Sequence, residues 1–528
     1  MSLARRMNRR DLLKGGAVGL VGVTGLALLG SACSPATPPQ VADTQVNSGS
    51  TASKPGGSIV VAWGLDPRGF DPAIGDARPE QNLNMHVYDS LVALDSQNKV
   101  VPALAESWTN PSPLTWRFTL RQGIRFHNGD PFDAEAVKFN IDRFVDPNTK
   151  ATIAGYFRQF DKATVVNANT IDLALTAPAP LFLKYLAAYL YVAAPKTIDS
   201  SMTNPVGTGA FRFGEWTKGD HITLEANSGY WGAPAKLGKL TFKTLPQPTS
   251  RVAALKTGEA DVVVDLDPTA AKELQGASDL KVASVPGYRN IYLLVDHRAD
   301  TPLKNRDVRL ALNYAIDKDA LINGILEGYG TPLEGQPYSP MYFGYNPAIK
   351  RIPYDLAQAK KLLADAGQGN GFEVKFVTPF GRYLKDKELT EAIAGQLDKV
   401  GVKANIEVVE WAAAMQKYTS HTNGPLAMNG QASPSLDCLE HFAIYWWSKG
   451  AVSHYDNPSF DAIFERASVE MDDKTREKLL QDGVKLLADD AANIWLHQQH
   501  DVFGFRNRVQ NWTPPNNQLL DFHTASAV

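Results

Sequence analysis

The sequence predicts a mixed α/β fold with more than one lobe. Stretches with the two-residue periodicity of strands alternate with stretches of helical periodicity along the whole chain. The residues after position 57 number about 470, which is too many for one typical hydrophobic core, so two or three domains are expected. We find no repeat of fixed short length, which argues against a solenoid.

Strands are predicted where apolar residues run together or alternate with polar ones. Ser58–Trp63 is an apolar run typical of a buried strand, and Trp116–Leu120 alternates as a half-buried strand does. Two further alternating runs, His221–Ala226 and Leu240–Leu245, are also expected to be strands. Gly207-Thr208-Gly209 precedes an apolar run, so it is interpreted as a tight turn leading into a strand and not as a phosphate-binding loop.

Helices are predicted where apolar residues recur with a period near 3.6. Asp133 is a natural N-cap before the acidic first turn of one helix. Helical periodicity also covers residues 308–316, 355–366 and 474–490. In the first of these, we expect Arg309 to pair with a carboxylate and not to contact a ligand.

The first 33 residues have the pattern of an export signal. Four arginines precede an uncharged apolar stretch from Gly15 to Ala32, and small residues lead up to Cys33. A retained membrane-spanning helix is the alternative, because about eighteen apolar residues just reach across a bilayer. Several residues of the stretch are glycine, which weakens a helix, so the pattern favours a cleaved signal.

Two details indicate the export route and the anchor. Arg9 and Arg10 stand in a stretch that resembles a twin-arginine signal, which exports folded proteins. Gly30–Cys33 resembles a lipobox, in which Cys33 is acylated and becomes the new N-terminus. Residues 34–57 are rich in Ser, Thr, Pro, Gly and Ala, as in a flexible spacer. We therefore expect an exported protein, in the periplasm or on the outer cell surface, that lipid anchors to a membrane.

Composition excludes several classes of function. The formal net charge is −3 and basic residues are not in excess, so nucleic acid is not an expected partner. If Cys33 is acylated, Cys438 has no partner for a disulfide. The histidines do not cluster at metal-ligand spacing, and the motifs GxSxG, HExxH, GxxxxGK, CxxC and GxGxxG are absent. The sequence thus predicts a binding protein without metal or cofactor, and not an enzyme.

Several motifs together resemble one family. They occur in the family's order along almost the whole chain after the signal, and they include Val101–Trp108, Gly123–Gly129, Pro205–Phe211, Arg251–Asp261 and Asp307–Asp317. On these residues the chain is identified as a member of the extracellular solute-binding proteins of family 5. These are the receptors of the oligopeptide, dipeptide, nickel-chelate and glutathione importers of the ATP-binding-cassette (ABC) class.

The resemblance implies a periplasmic-binding-protein-like fold of type II, in its large three-lobed variant. Two α/β lobes joined by a hinge close on the ligand, and an extra lobe is inserted in the first. The implied domains are the signal at 1–33, the linker at 34–57, the first lobe at 58–92, 205–290 and 496–528, the inserted lobe at 93–204 and the second lobe at 291–495.

The resemblance also implies the partners. A small molecule or peptide is captured and passed to an ABC permease and its ATPase, and the receptor is expected to be a monomer. A sensor or chaperone-like binder on the same fold is the alternative function. A secreted hydrolase is disfavoured by the missing catalytic set.

Candidate ligand-binding residues follow from the family's pocket. Trp411 matches a tryptophan that lines the cavity in peptide-binding relatives, with a purely structural role as the alternative. The stretch 429–438 matches the family's pocket loop. The full set of candidates is Trp411, Gly430, Gln431, Ala432, Ser433, Asp437 and Trp495, with Tyr445, Trp446 and Trp447 as further flat apolar walls.

The pocket loop departs from the family pattern where peptide receptors hold the α-ammonium group of the ligand. Those receptors read Gly-Trp-x-x-Asp, but this chain has Gln431 for the tryptophan and Ser433-Pro434 where the aspartate is expected. A buried ammonium without a counter-charge is unfavourable by several kcal/mol. We therefore expect a ligand that needs no free α-amino group: a blocked or modified peptide, an opine-like or sugar-linked compound, or another polar organic solute. The alternative is that Asp437, Asp76 or Glu80 holds an ammonium.

Overall fold

The computed structural model describes residues 56–75 and 77–528, which belong to one compact unit, Lys54–Val528. The expected export signal with Arg9, Arg10 and Cys33 lies outside the described residues, as does almost all of the expected linker. Within the described part, no helix has both the length and the apolar character needed to cross a membrane.

Strands and helices alternate along the described chain, as the sequence predicts. The strands are β1 (Ser58–Trp63), β2 (Val92–Leu94), β3 (Val100–Pro102), β4 (Ala105–Ser112), β5 (Thr115–Leu120), β6 (Phe160–Asn167), β7 (Thr170–Leu175), β8 (Phe211–Thr217), β9 (His221–Ala226), β10 (Lys239–Thr244), β11 (Val262–Val263), β12 (Leu280–Val295), β13 (Gly330–Pro332), β14 (Phe372–Phe380), β15 (Val402–Glu410), β16 (Leu426–Gln431), β17 (Ile494–Arg506), β18 (Val509–Gln510) and β19 (Ser526–Ala527). The α-helices are α1 (Arg78–Val87), α2 (Ala134–Val145), α3 (Phe182–Tyr189), α4 (Pro248–Thr257), α5 (Pro268–Leu274), α6 (Arg306–Ala315), α7 (Lys318–Gly324), α8 (Leu356–Asp365), α9 (Asp386–Asp398), α10 (Trp411–Thr419), α11 (Cys438–His441), α12 (Pro458–Ala467) and α13 (Asp473–Asp489).

One large sheet runs through two lobes. Its strand order is β15-β14-β16-β12-β17-β11-β1-β10-β9-β8, and β13 pairs with β17 beside this path. We call the part with β11, β1, β10, β9 and β8 the first lobe. The part with β16, β14 and β15 is the second lobe. Each part has its own buried apolar cores, so the lobes are separate packing units that share one sheet.

The long strands β12 and β17 connect the two lobes. β12 has 16 residues and β17 has 13, and they pair along most of their length. The part of β12 from Ile291 to Val295 is an unbroken apolar run, and it is fully buried because both faces of the sheet are covered there. The register of the ladder shifts between Pro286 and Asn290. This irregularity places Gly287, Tyr288 and Arg289 where the chain passes from the first lobe to the second.

A smaller sheet forms the inserted lobe. Its four strands have the order β4-β5-β7-β6, and all of them lie within the residues 93–204 expected for this lobe. Helices α2 and α3 cover it over a core of its own that includes Phe118, Ile141, Phe144, Ile171 and Leu186. The chain is therefore α/β with a three-lobed arrangement, in agreement with the fold class expected from the sequence.

Local details of the sequence explain where the helices begin. Asp133 caps α2 by accepting the backbone N–H of Ala136 at 3.0 Å, as predicted. Helix α8 begins at Leu356, one residue later than the predicted start, because Asp355 is its N-cap and accepts the N–H of Gln358 at 2.9 Å. The predicted carboxylate partner of Arg309 is Asp490, at 2.7 Å.

The predicted turn at Gly207 and Gly209 is a place of close backbone packing. A Cβ atom on Gly207 would lie 2.1 Å from the carbonyl oxygen of Val87, and one on Gly209 would lie 2.4 Å from that of His86. No larger residue fits against the end of α1 without moving backbone. The turn leads directly into β8, as the sequence predicts.

Candidate functional site

A cleft lined by charged and aromatic side chains lies beside the junction of β12. Arg78 is the first residue of α1 in the first lobe, and its guanidinium carbon lies 4.8 Å above the ring centroid of Tyr288. Arg289 follows at the junction and lies 5.8 Å from the ring centroid of Tyr383 in the second lobe. Residues of both lobes thus meet at the point where the chain crosses between them.

The second lobe contributes a loop after β14. The carboxylate of Asp386 accepts backbone N–H groups of Gly381, Arg382 and Tyr383 at 2.8–3.2 Å, and so holds the loop in shape. The guanidinium of Arg382 stacks over the ring of Trp411 at 4.6 Å. Trp411 is half-buried at the first residue of α10, so the structure places this predicted residue at the cleft.

A small cavity forms the first-lobe end of the cleft. Its volume is about 100 Å³, and its polar lining includes Arg78, Asp265 and Asp501. Trp63 and Phe503 provide apolar walls. Pockets for drug-sized ligands measure roughly 300–1,000 Å³. The cavity therefore has room for one functional group of a ligand and not for the whole molecule.

The surrounding protein perturbs the acids and bases of the cleft. Burial raises the pKa of Asp501 to about 7, against the opposing hydrogen bond from Gln518 and the charges of Arg289 and Arg78. Burial also raises the pKa of Asp265, although its side chain is solvent-exposed. Asp265 lies at the wall of a narrow cleft. Water reaches its carboxylate there, but protein atoms surround it on most sides, which explains the raised pKa.

Aromatic residues of the inserted lobe form another wall. The rings of Tyr156 and Tyr189 stack with centroids 4.3 Å apart, and Tyr185 lies 5.1 Å from Tyr156. Burial raises the pKa of Tyr189 well above its usual value, while the nearby charge of Arg78 lowers it. Tyr445 belongs to a π-helical turn of the second lobe, and the charges of Arg289 and Arg382 reach its hydroxyl. All three lobes therefore contribute to the cleft.

The predicted pocket loop begins at the end of β16. Gly430 donates its N–H to the Tyr383 hydroxyl at 2.9 Å, and a Cβ at this position would lie 2.7 Å from the same ring. The side chain of Gln431 is fully buried and donates to the carbonyl oxygen of Pro337 at 2.7 Å. Ala432 is half-buried. Gly430 thus contacts a cleft residue, whereas the Gln431 amide nitrogen is engaged within the second lobe.

Ser433 leads into a buried polar cluster with Ser435 and Glu440. The Glu440 carboxylate accepts hydrogen bonds from the hydroxyls of Ser433 at 2.5 Å and Ser435 at 2.8 Å. Burial raises the pKa of Glu440 to about 7, although the two hydroxyl hydrogen bonds lower it.

The same loop is attached to the inserted lobe. The carbonyl oxygen of Ser435 accepts hydrogen bonds from the Lys184 ammonium at 2.8 Å and from the Asn98 amide at 2.5 Å. Both donors belong to the inserted lobe, and Ser435 belongs to the second lobe. These two bonds connect opposite sides of the cleft, as in a closed receptor.

Two other predicted residues are engaged away from the cleft. Asp437 is fully buried, caps α11 through the N–H of Leu439 and forms an ion pair with Arg476 at 2.7 Å. Trp495 is fully buried and packs against Tyr292, with ring centroids 5.8 Å apart. The structure therefore gives both residues structural contacts within the second lobe.

The remaining residues that the sequence suggested for the pocket do not all lie at the cleft. Trp446 is fully buried, and Trp447 packs on Phe464. The charges of Arg289 and Arg382 act on the hydroxyl of Tyr445. Glu80 accepts hydrogen bonds from the backbone and side-chain nitrogens of Arg68 at 2.9 and 3.0 Å, and Asp76 lies outside the described residues.

Sequence reasoning missed several residues of the cleft: Arg78, Arg289, Arg382, Asp501 and Glu440. Two of them carry a signal in the sequence. Arg289 stands just before the buried run of β12, and Glu440 stands among apolar residues from Cys438 to Trp447. A lone charge beside a buried segment indicates a specific partner or ligand.

Cys438 itself is free and buried, and no group of three His, Cys, Asp or Glu among residues 56–75 and 77–528 is arranged to hold a metal.

Comparison with known families covers most of the described chain. Residues 99–452 match the family model described as bacterial extracellular solute-binding proteins, family 5 Middle. The match contains almost all of the inserted lobe, the first-lobe segment 205–290 and most of the second lobe, including the pocket loop.

Individual relatives agree with this match. The chain is 30% identical over 489 residues to the glutathione-binding protein GsiB of Pectobacterium atrosepticum, covering 88% of this chain and 93% of that protein. It is 30% identical to heme-binding protein A of Haemophilus influenzae, covering 83% and 86%. Among solved structures, the DppA binding protein of Helicobacter pylori in complex with the peptide STSA superposes with a TM-score of 0.77 at 26% identity, covering 89% of this chain and 98% of that one.

Proposed function

The chain belongs to the bacterial extracellular solute-binding proteins of family 5, and from this membership we propose that it captures a small polar organic solute. The chain is a substrate-binding receptor of the ABC-importer type. The family consists of binding proteins that work outside the cytoplasm with a permease and an ATPase, and it is not a family of enzymes. A single observation supports the binding role most directly: side chains of three lobes converge on one cleft beside the long strands β12 and β17, which connect the first and second lobes.

The architecture explains how capture is coupled to closure. Because the lobes share β12 and β17, a change at the irregular ladder near Gly287 moves one lobe against the other. A ligand that contacts both lobes stabilises the closed form in proportion to its preference for that form. The closed form is the state that a permease distinguishes from the empty receptor.

We propose further that the solute needs no free α-amino group. Asp437 forms a buried ion pair with Arg476 and Glu80 pairs with Arg68, which disfavours either carboxylate as the partner of an ammonium. Glu440 is the remaining acid near the pocket loop, and its raised pKa leaves it partly protonated near neutral pH. The relatives bind glutathione, heme and a peptide by name, so modified peptides and other conjugates are the first solutes to test.

Ligand released from the purified protein tests the binding role. The protein is purified without added solute, denatured, and its small-molecule fraction analysed by mass spectrometry. We expect a stoichiometric organic compound that raises the Tm when it is returned to ligand-free protein. A protein that releases nothing, and whose Tm and tryptophan fluorescence respond to no solute of a broad panel, contradicts the proposal.

Calorimetry with paired peptides tests the ammonium hypothesis. Free and N-acetylated forms of the same peptide are titrated into the ligand-free protein. We expect acetylation to change the binding free energy by less than about 1 kcal/mol, since loss of a buried ion pair costs roughly 3–5 kcal/mol. Binding restricted to free peptides contradicts the hypothesis.

We also propose that Arg9 and Arg10 direct twin-arginine export, that Cys33 is lipidated and that the exported receptor is a monomer. Acyl chains on Cys33 would hold the protein at a membrane, so Cys33→Ala should release it from the membrane fraction. Replacing both arginines by lysine should leave precursor in the cytoplasm. Membrane retention of the alanine variant after a high-salt wash, or normal export of the double-lysine form, would contradict the respective proposal.

A further inference from the structure

The ladder between β12 and β17 is interrupted where the chain passes from the first lobe to the second. Its pairing runs up to Pro286 and resumes at Asn290, so residues 287–289 of β12 lie opposite Gln499 alone. Extra residues in a ladder lose their regular backbone partners. The groups that replace those partners therefore bear on how the two lobes are held relative to each other.

Two buried side chains bind the backbone of this junction. The amide nitrogen of Gln498 donates to the carbonyl oxygen of Gly287 at 2.7 Å. The hydroxyl of Tyr342 donates to the carbonyl oxygen of Tyr288 at 2.6 Å. Both side chains are buried, and a buried carbonyl group left without a donor is unfavourable. The backbone conformation of the junction thus depends on these two donors.

Tyr288 is bonded to a different lobe on each side of its backbone. Its N–H donates to the carbonyl oxygen of Asn516 at 3.2 Å, in the C-terminal segment that packs on the first-lobe core through Leu520. Its carbonyl oxygen accepts from Tyr342, which packs in the second-lobe core with Val377 of β14. A rotation of one lobe against the other therefore has to change at least one of these bonds.

The Tyr342 hydroxyl also contacts the pocket loop. It accepts the backbone N–H of Ser433 at 3.3 Å. Ser433 lies two residues before Ser435, whose carbonyl oxygen accepts the bond from Lys184 of the inserted lobe. Burial raises the pKa of Tyr342 well above its usual value, so the hydroxyl keeps the proton that it donates to Tyr288. The pocket loop and the junction therefore share one hydroxyl group.

We propose that Tyr342 and Gln498 form a hinge clamp that holds the lobes in the closed arrangement, and that the Tyr342 hydroxyl couples the pocket loop to the hinge. This inference rests on the proposed receptor function and adds the residues that set its closed population. Both act as positioning residues, through the backbone of the junction and not through contact with the solute. A smaller closed population weakens the binding of every solute by the same factor.

Variants that remove the two donors test the clamp. Tyr342→Phe and Gln498→Met should each weaken the binding of glutathione, of trialanine and of the compound recovered from purified protein by one common factor of about tenfold. Calorimetry measures the affinities. At equal fractional saturation, small-angle scattering should show a larger radius of gyration in both variants than in the unaltered protein. The Tm of the ligand-free protein should stay constant, because water replaces the lost donor when the lobes are open.

A tyrosine of the same segment provides a matched control. Tyr338 is also buried, and its hydroxyl donates to the carbonyl oxygen of Cys438 at 3.2 Å. Both of these residues pack in the second-lobe core, so this bond does not cross the junction. Tyr338→Phe should lower the Tm of the ligand-free protein and leave the affinities unchanged.

The outcomes separate the clamp from other roles. Unchanged affinity in both variants, with or without a lower Tm, makes the two side chains structural and overturns the clamp, while the receptor function stands. Factors that differ between solutes would show that the altered residue contacts the solute, and they overturn the clamp as well. If the unaltered protein binds none of the probes and releases no compound, the receptor function fails and the clamp fails with it.

Discussion

The Lys385 ammonium lies 2.8 Å from a carboxylate oxygen of Asp267, and this ion pair joins the second lobe to the first. Asp267 also caps α5 by accepting the N–H groups of Thr269 and Ala270, so its carboxylate is held in place. Lys385 precedes α9 on the loop that carries Arg382. The pair therefore links the first lobe to a loop that lines the cleft.

Removing this pair should favour the open receptor. A partly exposed ion pair contributes about 0.2–1 kcal/mol, so Lys385→Met should weaken solute binding by up to about fivefold. Small-angle scattering should show a larger radius of gyration at a subsaturating solute concentration. Lys387→Met, at an exposed residue in the first turn of α9, is the control. Unchanged affinity and radius in the Lys385 variant would show that the pair does not stabilise closure.

The bond from Lys184 to the Ser435 carbonyl should control how long the solute stays bound. Lys184→Met removes a charge-assisted hydrogen bond between the inserted and second lobes. We expect dissociation to become about tenfold faster with little change in the association rate, because such bonds exist only after closure. Stopped-flow fluorescence measures both rates, and Lys196→Met in the inserted lobe is the exposed control. An altered association rate with normal dissociation contradicts the assignment.

Glu440 should make stability depend on pH. Burial raises its pKa from 4.5 to about 7, so between these values the folded protein holds a proton that the unfolded chain releases. The free energy of unfolding should therefore fall as the pH rises from about 4.5 to 7, by roughly 3 kcal/mol from this group. Denaturant titrations should show that Glu440→Gln removes this share of the decrease, and Glu465→Gln is the exposed control. Parallel curves for wild type and Glu440→Gln would contradict the prediction.

Gly207 should not tolerate a side chain. Its Cβ would lie 2.1 Å from the Val87 carbonyl oxygen, and backbone cannot move aside as a flexible side chain does. Gly207→Ala should lower the free energy of unfolding by about 3 kcal/mol or more. Gly324→Ala, which meets no atom within 4 Å at the end of α7, should be neutral or slightly stabilising. Urea denaturation of both variants decides this, and equal stability would refute the packing argument.

Much of the fold follows from local sequence patterns. The strands at Ser58–Trp63 and His221–Ala226 have the predicted bounds, and Asp133 caps the predicted helix. These features depend on periodicity, β-branched residues and capping, all of which act within a few residues. Sequence motifs spread along the chain also identified the family, because a conserved order of motifs does not require knowledge of their contacts.

The candidate site was only partly predictable, since it depends on which distant segments meet. The sequence placed Trp411 and Gly430 at the pocket, and the structure brings them to Arg382 and Tyr383. It could not show that Asp437 is neutralised by Arg476, a residue 39 positions away. The periodicity of apolar residues carries no information about an ion pair between residues so far apart in the chain.

The sequence by itself therefore determined the class of fold, the receptor family and the expected export of this protein, because each is encoded in local patterns. The tertiary structure alone decided the charge of the binding cleft. Arg78, Arg289 and Arg382 are far apart in the chain, and the passage of β12 between the lobes brings them together. Electrostatic energy depends on distance in space and on burial, and neither quantity is contained in the order of the residues.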